Sequence, residues 1–325
     1  MKKDFFIIAS LLFLSSCTVG EMEIQQAHMG VIYTDSLRED SQFVLLDNHG
    51  RIMDSHKIKE KGIFQIAEKG DGNLLLPVTF GERLVHISSD GDITMEKTPI
   101  YPLYTREKGK IRMTTYNTHL NYGTLEIRQG NKKKSVRLDG FLRIVDFDSR
   151  HVYVFATVIQ EKRPVLYVID RETGTRIRDL NLEIDLANDL EITEKYILVS
   201  SVAEGNNKIA VISKKDWQQR YISLPCSQPE FIYRNGGKIY ITHRTQGEIT
   251  VLDENTFKVL QVSRLPQSIF KARLLKDKLY VLSQADGKKT AGIIGIYDIH
   301  TWKQEKRILL PKIRNTLVQD LTVIQ

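Results

Sequence analysis

The stretch Ile249–Phe257, which reads ITVLDENTF, decides the fold because versions of it recur along the whole chain. In each version a short apolar strand leads into a polar turn, after which the chain continues in another strand. The first turn residues of the seven versions are Asp47, Ser88, Arg128, Asp170, Ser213, Asp253 and Asp298. Successive turns are 40 to 45 residues apart. A repeat of this length cannot bury its apolar face alone and must pack against its neighbours.

Three further strand patterns accompany each marker turn. Alternating apolar residues bounded by Gly, Asp and Lys precede the marker strand, as in Gly237–Ile241, and this pattern is typical of strands. A third strand type lies before it, for example Phe231–Arg234, and a fourth follows the turn, for example Lys306–Leu310. Four short antiparallel strands per repeat describe the blade of a β-propeller. The sequence therefore predicts an all-β, seven-bladed β-propeller over residues 30–325.

The two ends of the chain predict how the ring closes. The first strand, Val31–Thr34, matches the second strand of a blade, whereas the last strand, Leu317–Ile324, matches the first strand of a blade. We therefore expect the C-terminal strand to close the first blade, next to the strand with which the ring begins. Such pairing removes the open sheet edges that would otherwise invite aggregation.

The clearest repeat resembles a known family. Lys238–Thr242 (KIYIT) followed by Glu248–Asp253 (EITVLD) resembles the YVTN-type propeller repeat, and the resemblance is clearest over residues 150–310. It implies a propeller fold and a location at the cell surface, but no single activity. The Gly-His and Trp-Asp signatures of WD40 repeats are absent from the sequence.

The N-terminus has the pattern of a targeting segment. Lys2 and Lys3 precede the apolar run Phe5–Leu14, which is too short to span a bilayer and suits a secretory signal. The run ends in LSSC, which resembles the lipobox of bacterial lipoproteins and implies a diacylglyceryl group on Cys17. We interpret residues 1–16 as a lipoprotein signal peptide. The alternative is an ordinary signal peptide with a coincidental Cys.

The lipobox predicts an extracytoplasmic, membrane-anchored protein, on the outer face of the cell membrane or on the outer membrane. Residues 17–29 are expected to be a tether, with Thr18–Gln26 outside the blades. If Cys17 is acylated, Cys226 has no partner, and no intramolecular disulfide is expected. Cys226 itself is interpreted as a small filler of a loop or the core rather than a nucleophile.

The charge pattern indicates which kinds of molecule the protein could bind. The formal net charge is +7, with short basic clusters at Lys132–Lys134 and at Lys288 and Lys289. A nucleic-acid-binding surface is expected to be a longer basic stripe with interleaved aromatic residues, so no nucleic-acid partner is predicted. The clusters fit solvated turns, or attraction to anionic partners at the cell surface.

The polar motifs predict neither a metal nor a cofactor. Asp170, Asp253 and Asp298 are each followed three residues later by Thr, a pattern in which both side chains cap a turn. Residues 170–174 (DRETG) also match a quinoprotein motif, but Gly stands there only once. The eight histidines show no metal-ligand spacing, and the sequence holds no Gly-x-Ser-x-Gly elbow.

One face of the predicted ring combines aromatic and cationic residues in its connections. Its members are Arg38, Phe80, Tyr101, Tyr116, His119, Tyr122, Arg163, His243, Arg244, Lys288 and Arg314. The candidate ligand residues among them are Tyr116, His119, Arg163, His243 and Arg244. The mixture favours an anionic or carbohydrate ligand, although an ordinary loop surface has the same composition.

These observations lead to a functional hypothesis with two alternatives. The hypothesis is a lipid-anchored binding or scaffolding module of the cell envelope, whose partner is a ligand or an envelope protein. The first alternative is a propeller enzyme, such as a lyase, lactonase or sugar-processing hydrolase, with its site at the channel mouth. Such an enzyme needs convergent acids, bases or metal ligands from several blades. The second is a structural envelope protein without a small ligand.

Overall fold

The computed structural model describes residues 18–324 except 70, 245, 246, 286 and 288. Within this part of the chain there are twenty-nine β-strands, two 3-10 helices at Ile24–Gln26 and Ile159–Glu161, and no α-helix. No described helix has the length and apolar character needed to cross a membrane. The predicted signal peptide, the predicted lipidation site Cys17 and Lys288 lie outside the described residues.

Twenty-eight strands form seven blades, each a four-stranded antiparallel sheet, as the sequence predicts. From the axis outward, blade 1 contains β29 (Leu317–Val323), β2 (Met29–Thr34), β3 (Ser41–Leu46) and β4 (Ile52–Ile58). Blade 2 contains β5 (Ala67–Glu68), β6 (Leu74–Val78), β7 (Arg83–Ile87) and β8 (Ile93–Lys97). Blade 3 contains β9 (Pro102–Lys108), β10 (Ile111–His119), β11 (Tyr122–Gln129) and β12 (Lys132–Asp139).

The other four blades follow the same order along the chain. Blade 4 contains β13 (Phe141–Phe147), β14 (His151–Val158), β15 (Arg163–Asp170) and β16 (Arg176–Asn181). Blade 5 contains β17 (Ala187–Ile192), β18 (Tyr196–Ser201), β19 (Lys208–Ser213) and β20 (Gln219–Ser223). Blade 6 contains β21 (Pro229–Asn235), β22 (Lys238–His243), β23 (Glu248–Asp253) and β24 (Val259–Arg264). Blade 7 contains β25 (Lys271–Leu275), β26 (Lys278–Gln284), β27 (Thr290–Asp298) and β28 (Gln304–Pro311).

The C-terminal strand closes the ring, which confirms the predicted closure. Strand β29 pairs antiparallel with β2, and Leu321 lies opposite Val31. Val318 and Leu321 are buried in the apolar core that blades 1 and 7 share. The first blade therefore depends on both ends of the chain.

The Asp-x-x-Thr motifs are turn caps, as expected. The Oδ1 atom of Asp253 accepts hydrogen bonds from the backbone N–H of Thr256 and from its hydroxyl, both at 2.8 Å. Asp298 and Thr301 repeat the arrangement with the same two distances. These bonds hold the pKa of each carboxyl below its usual value.

The residues that follow Thr256 and Thr301 each pack against the blade before their own. Phe257 and Trp302 adopt the left-handed conformation, with φ of 59° and 57°, which is uncommon for bulky side chains. Phe257 contacts Tyr196 of blade 5 edge-on with ring centroids 5.3 Å apart, and Trp302 packs against Tyr240 of blade 6 at 6.2 Å. The contact between blades offsets the cost of the backbone conformation.

The segment before the ring differs from the expected free tether. Strand β1 (Thr18–Gly20) pairs antiparallel with β8 as a fifth strand of blade 2. Met22 donates its backbone N–H to the Gly91 carbonyl at 2.9 Å, and the side chains of Met22 and Ile24 are buried in the core of blades 1 and 2. The expectation that Thr18–Gln26 lie outside the blades is therefore wrong, because this segment supplies apolar side chains and pairs with a sheet edge.

Strand direction defines two faces of the ring. The connections from second to third strand, and from fourth strand to the next blade, lie on one face, here called the upper face. The hairpins between first and second, and between third and fourth strands, lie on the lower face. The innermost strands surround the central channel that joins the two faces.

Candidate functional site

Two of the five candidate ligand residues are interior side chains. Tyr116 is buried, and its hydroxyl donates to Glu126 Oε2 at 3.2 Å, while burial raises its pKa. His243 is fully buried, with Nδ1 2.9 Å from the Ser227 carbonyl oxygen and Nε2 2.9 Å from Thr250 Oγ1. Burial lowers the pKa of His243, which favours the neutral ring. Both residues hold their own blades together.

The other three candidates lie at the surface of three different blades. His119 of blade 3 is exposed and stacks on Tyr122 with ring centroids 5.2 Å apart. Arg163 of blade 4 forms an ion pair with Glu161 at 2.6 Å. Arg244 of blade 6 pairs with the buried Glu230 at 2.8 Å. The structure therefore does not gather the five residues into one site.

The central channel instead gathers side chains from all seven blades. Its volume is 460 Å³, within the range of small-ligand sites. Charged and aromatic residues of the inner strands and the segments leading into them dominate the lining. They are Phe64, Glu68, Tyr104, Arg106, Phe141, Arg143, Asp189, Glu191, Phe231, Tyr233, Lys271, Arg273 and Asp320.

Some of these side chains tie neighbouring blades together. Asp320 on the closing strand accepts the Arg273 guanidinium of blade 7, with Nη2 3.0 Å from both carboxylate oxygens. Its Oδ2 also accepts the backbone N–H of Ile66, which leads into blade 2, at 2.8 Å. Asp189 of blade 5 accepts the N–H of Ile232 in blade 6 at 2.9 Å in the same way. These carboxylates act as struts around the channel.

A group of carboxyls with raised pKa values lies on the inner strand of blade 5. Burial raises the pKa of Asp189 to about 6. Burial, together with the neighbouring charges of Asp189 and Asp146, raises the pKa of Glu191 to about 7. The counter-charge on Glu191 is weak, since Arg234 Nη1 stands 3.7 Å away. A carboxyl that titrates near neutral pH can exchange a proton with a bound molecule.

Two cations in the channel lining stand apart from the struts. Arg143 and Lys271 form no ion pair with any residue in the described part of the chain. Arg143 faces the Phe141 ring at 5.7 Å, its buried Nε has no hydrogen-bond partner there, and burial lowers its pKa. Lys271 Nζ lies 5.3 Å from the centre of the Phe231 ring.

The carboxylates nearest these two cations are engaged elsewhere. Asp185, which acts on Arg143 through its charge, accepts the Thr157 hydroxyl at 2.6 Å. Glu230, which feels the charge of Lys271, is paired with Arg244. Both cations lie near the upper ends of their inner strands, where Phe64, Phe141 and Phe231 also line the channel. This region, here called the upper channel site, offers two cations beside apolar rings.

A larger groove of 920 Å³ lies on the lower face between blades 3, 4 and 5. It is also basic, but its lysines are paired: Lys108 with Asp146 at 2.7 Å and Lys214 with Asp148 at 2.6 Å. The groove also holds Arg150 and Arg171, which form no ion pair among the described residues. The channel is the better ligand candidate despite its smaller volume, because Arg143 and Lys271 stand there beside Phe64, Phe141 and Phe231.

Comparison with known proteins supports the fold. No known family model matches the chain, and no curated protein matches it. A functionally unknown protein from Desulfotomaculum acetoxidans is similar in structure, with a TM-score of 0.66 and 11% identity over 87% of this chain and 95% of that one. BamB from Moraxella catarrhalis has a TM-score of 0.58 and 10% identity, over 93% of this chain and 96% of that one. Apo AztD from Citrobacter koseri has a TM-score of 0.57 and 11% identity, over 91% of this chain and 98% of that one. At these identities the likeness establishes the propeller fold alone.

The sequence predicts the innermost strands, but the predicted site residues were assigned to the connections between strands. The missed signal is the alternation of residues on these strands. Lys271 and Arg273 are two positions apart on a regular strand and so share one face. Phe141 and Arg143 also both line the channel, although the register of β13 shifts between Leu142 and Ile144. Arg143, Lys271 and Arg273 line the channel, whereas Asp146 on the inner strand β13 is buried and pairs with Arg106 and Lys108 of blade 3.

Proposed function

We propose that this protein is a lipid-anchored, extracytoplasmic binding or scaffolding module of the cell envelope. Its anchor is the acylated Cys17, and its binding site is the upper channel site. The anchor is supported by the basic start, the short apolar run and the LSSC sequence. Two or more acyl chains hold a protein stably at a membrane.

The observation that carries the ligand class is the pair of cations without counter-charges, Arg143 and Lys271. Both side chains are half-buried, and a bound anion would supply the counter-charge that neither has among the described residues. Phe64, Phe141 and Phe231 add apolar surface beside these cations. The ligand class is therefore an anion that carries an apolar or ring-shaped part, such as a phosphate or carboxylate on a ring.

The test is calorimetric titration of the full chain with phenyl phosphate, which joins one phosphate to one ring. Benzyl alcohol and benzylamine are the neutral and cationic controls. We expect saturable binding of phenyl phosphate that weakens with salt and is lost in an Arg143→Gln, Lys271→Gln double variant. The matched control replaces the lower-face residues Arg171 and Lys215 with Gln. Equal affinities in the two double variants would refute the site.

One observation favours the alternative, a propeller enzyme. Asp189 and Glu191 line the channel with pKa values near 6 and 7, which suits general acid–base chemistry. An enzyme would turn over members of a panel of lactones and p-nitrophenyl glycosides, and Glu191→Gln would abolish that turnover. The binding proposal predicts no turnover by the wild type and little effect of Glu191→Gln on phenyl phosphate affinity.

A further inference from the structure

The central channel carries its weakly paired charges at two levels. Arg143 and Lys271 lie four residues before the lower ends of their strands, β13 and β25. Glu191 lies one residue before the lower end of β17. At about 3.3 Å per residue, and allowing for the bulge in β13, the two levels are roughly 7–10 Å apart along the strands. The two cations therefore belong to the upper part of the channel and the carboxyl to its lower part.

The cations that stand near Glu191 are each engaged with another carboxylate. Arg234 Nη1 is 3.7 Å from Glu191 Oε1, but Arg234 Nε donates to Glu254 Oε1 at 2.8 Å. Arg106, the other cation that acts on Glu191, forms its ion pair with the buried Asp146 at 3.5 Å. In the described part of the chain, Glu191 therefore shares every cation within its reach.

The charges that face Glu191 come from three neighbouring strands as well as its own. Asp189 on β17 and Asp146 on β13 repel its ionised form, and Arg234 on β21 and Arg106 on β9 stabilise it. Burial and the two carboxylates dominate, and they raise the pKa of Glu191 to about 7. A cationic group of a ligand beside Glu191 would relieve both the repulsion and the burial cost of its charge.

Arg143 and Lys271 do not supply this missing charge. Neither forms an ion pair with Glu191, whose pairing within 4 Å is with Arg234 among the residues that the structure describes. The protein thus leaves two cations in the upper channel and one carboxyl in the lower channel without mutual contact. A single molecule with opposite charges at its two ends can compensate both levels at once.

Aromatic side chains cover the distance between the two levels. Tyr104 and Phe231 lie four residues before the lower ends of β9 and β21, and Tyr233 lies two residues before the end of β21. Burial raises the pKa of Tyr104 to about 12, so its hydroxyl keeps its proton at neutral pH. These rings offer faces to a ring of the ligand and to an ammonium group. The 460 Å³ of the channel is enough for one ring with two short charged arms.

We propose that the ligand of the channel is a zwitterion, with its anionic group between Arg143 and Lys271, its ring beside the aromatic side chains, and its ammonium group at Glu191. This inference rests on the proposed function, because the anionic end occupies the upper channel site. It adds the second charge to the ligand and makes Glu191 the residue that selects for it. Molecules that carry only the anion bind, but more weakly.

The test compares two phosphate esters of nearly equal shape by calorimetric titration of the full chain at pH 7. One is 4-(2-aminoethyl)phenyl phosphate, and the other is 4-propylphenyl phosphate, in which a methyl group replaces the ammonium. We expect the amine ester to bind about tenfold more tightly or better, as for a hydrogen bond to a charged group. Glu191→Gln should remove this preference and leave the affinity for the propyl ester little changed. The matched control is Glu194→Gln, which removes an exposed carboxylate from the adjacent hairpin and should keep the preference.

Proton release provides a second readout that needs no variant. With a pKa of about 7, Glu191 is about half protonated at pH 7, and an ammonium group beside it favours the ionised form. Titrations in buffers that differ in ionisation enthalpy should therefore show up to about half a proton more released with the amine ester than with the propyl ester. Since both esters carry the same phosphate, this difference reports the ammonium end alone.

The outcomes separate this inference from the proposed function. If neither ester binds, the upper channel site fails, and the zwitterion fails with it. If both esters bind with equal affinity and equal proton release, the anion site stands and the zwitterion is refuted. A preference for the amine ester that persists in Glu191→Gln also overturns the inference, because the ammonium group would then be held elsewhere.

Discussion

The strut at Asp320 gives the sharpest prediction about how the ring stays closed. Asp320 is 2% exposed, and its carboxylate holds Arg273 and the backbone N–H of Ile66 at once. In Asp320→Ala the Arg273 guanidinium, 21% exposed, loses this partner inside the channel. Removing one partner of a buried ion pair costs about 3–5 kcal/mol of unfolding free energy, because the remaining charge is left without compensation.

Since Arg273 keeps some contact with solvent and a second, longer ion pair with Glu68 at 3.6 Å, we take the lower end of that range, about 3 kcal/mol. This corresponds to a fall in the thermal midpoint of about 6–12 °C, at roughly 2–4 °C per kcal/mol for a large domain. The matched control is Glu305→Ala, which breaks the exposed Lys278–Glu305 pair at 2.6 Å. An exposed pair contributes about 0–1 kcal/mol, so the control should shift the midpoint far less.

The assay is differential scanning fluorimetry of the full chain and both variants at one pH, with urea unfolding as the second measurement. Asp320→Asn, which keeps an acceptor for the Ile66 N–H, should fall between the wild type and Asp320→Ala. Equal midpoints for Asp320→Ala and Glu305→Ala would refute the reasoning. The strut would then contribute no more than a surface pair.

Three other predictions concern the ends of the chain and the channel carboxyl. Ile24→Ala should lower the unfolding free energy by about 2–5 kcal/mol, because its side chain is buried against blades 1 and 2, while exposed Gln25→Ala should be silent in the same urea titration. Deleting residues 315–325 should leave an aggregating, unfolded product in size-exclusion chromatography, and a monomeric peak would contradict ring closure by β29. The raised pKa of Glu191 means that its contribution to stability is present below about pH 4.5 and is lost as the pH rises through about 7. The midpoint of Glu191→Gln relative to wild type should therefore rise between pH 5 and pH 8, and a fall would show that the Arg234 pair dominates.

The fold could be predicted from the sequence because its signals repeat. A marker turn such as Asp253–Thr256 is held by short-range hydrogen bonds that depend only on the local sequence. Because the pattern occurs seven times, an unclear strand in one repeat can be assigned from the others. The closure was also predictable, because Val31–Thr34 and Leu317–Ile324 each supply only part of a blade. The alternation of apolar residues predicts where the strands lie and in which order they follow one another along the chain.

The site and the N-terminal segment were less predictable, because they depend on packing between distant residues. Met22, Ile24 and Ala27 are too short a series to show a period, and their burial depends on the groove between blades 1 and 2. His243 has a polar sequence context but turns inward to Ser227 and Thr250. A residue that is assigned to a loop from a single sequence can therefore be buried in the core.

The most direct test of the central claim is a crystal structure of the chain with phenyl phosphate. We predict electron density for the ligand in the channel, with its phosphate between Arg143 and Lys271 and its ring against Phe141 or Phe231. The same soak of the Arg143→Gln, Lys271→Gln variant should leave the channel without this density. Ligand density in the lower-face groove beside Arg150 and Arg171 instead, or an unliganded channel at saturating phenyl phosphate, would contradict the account.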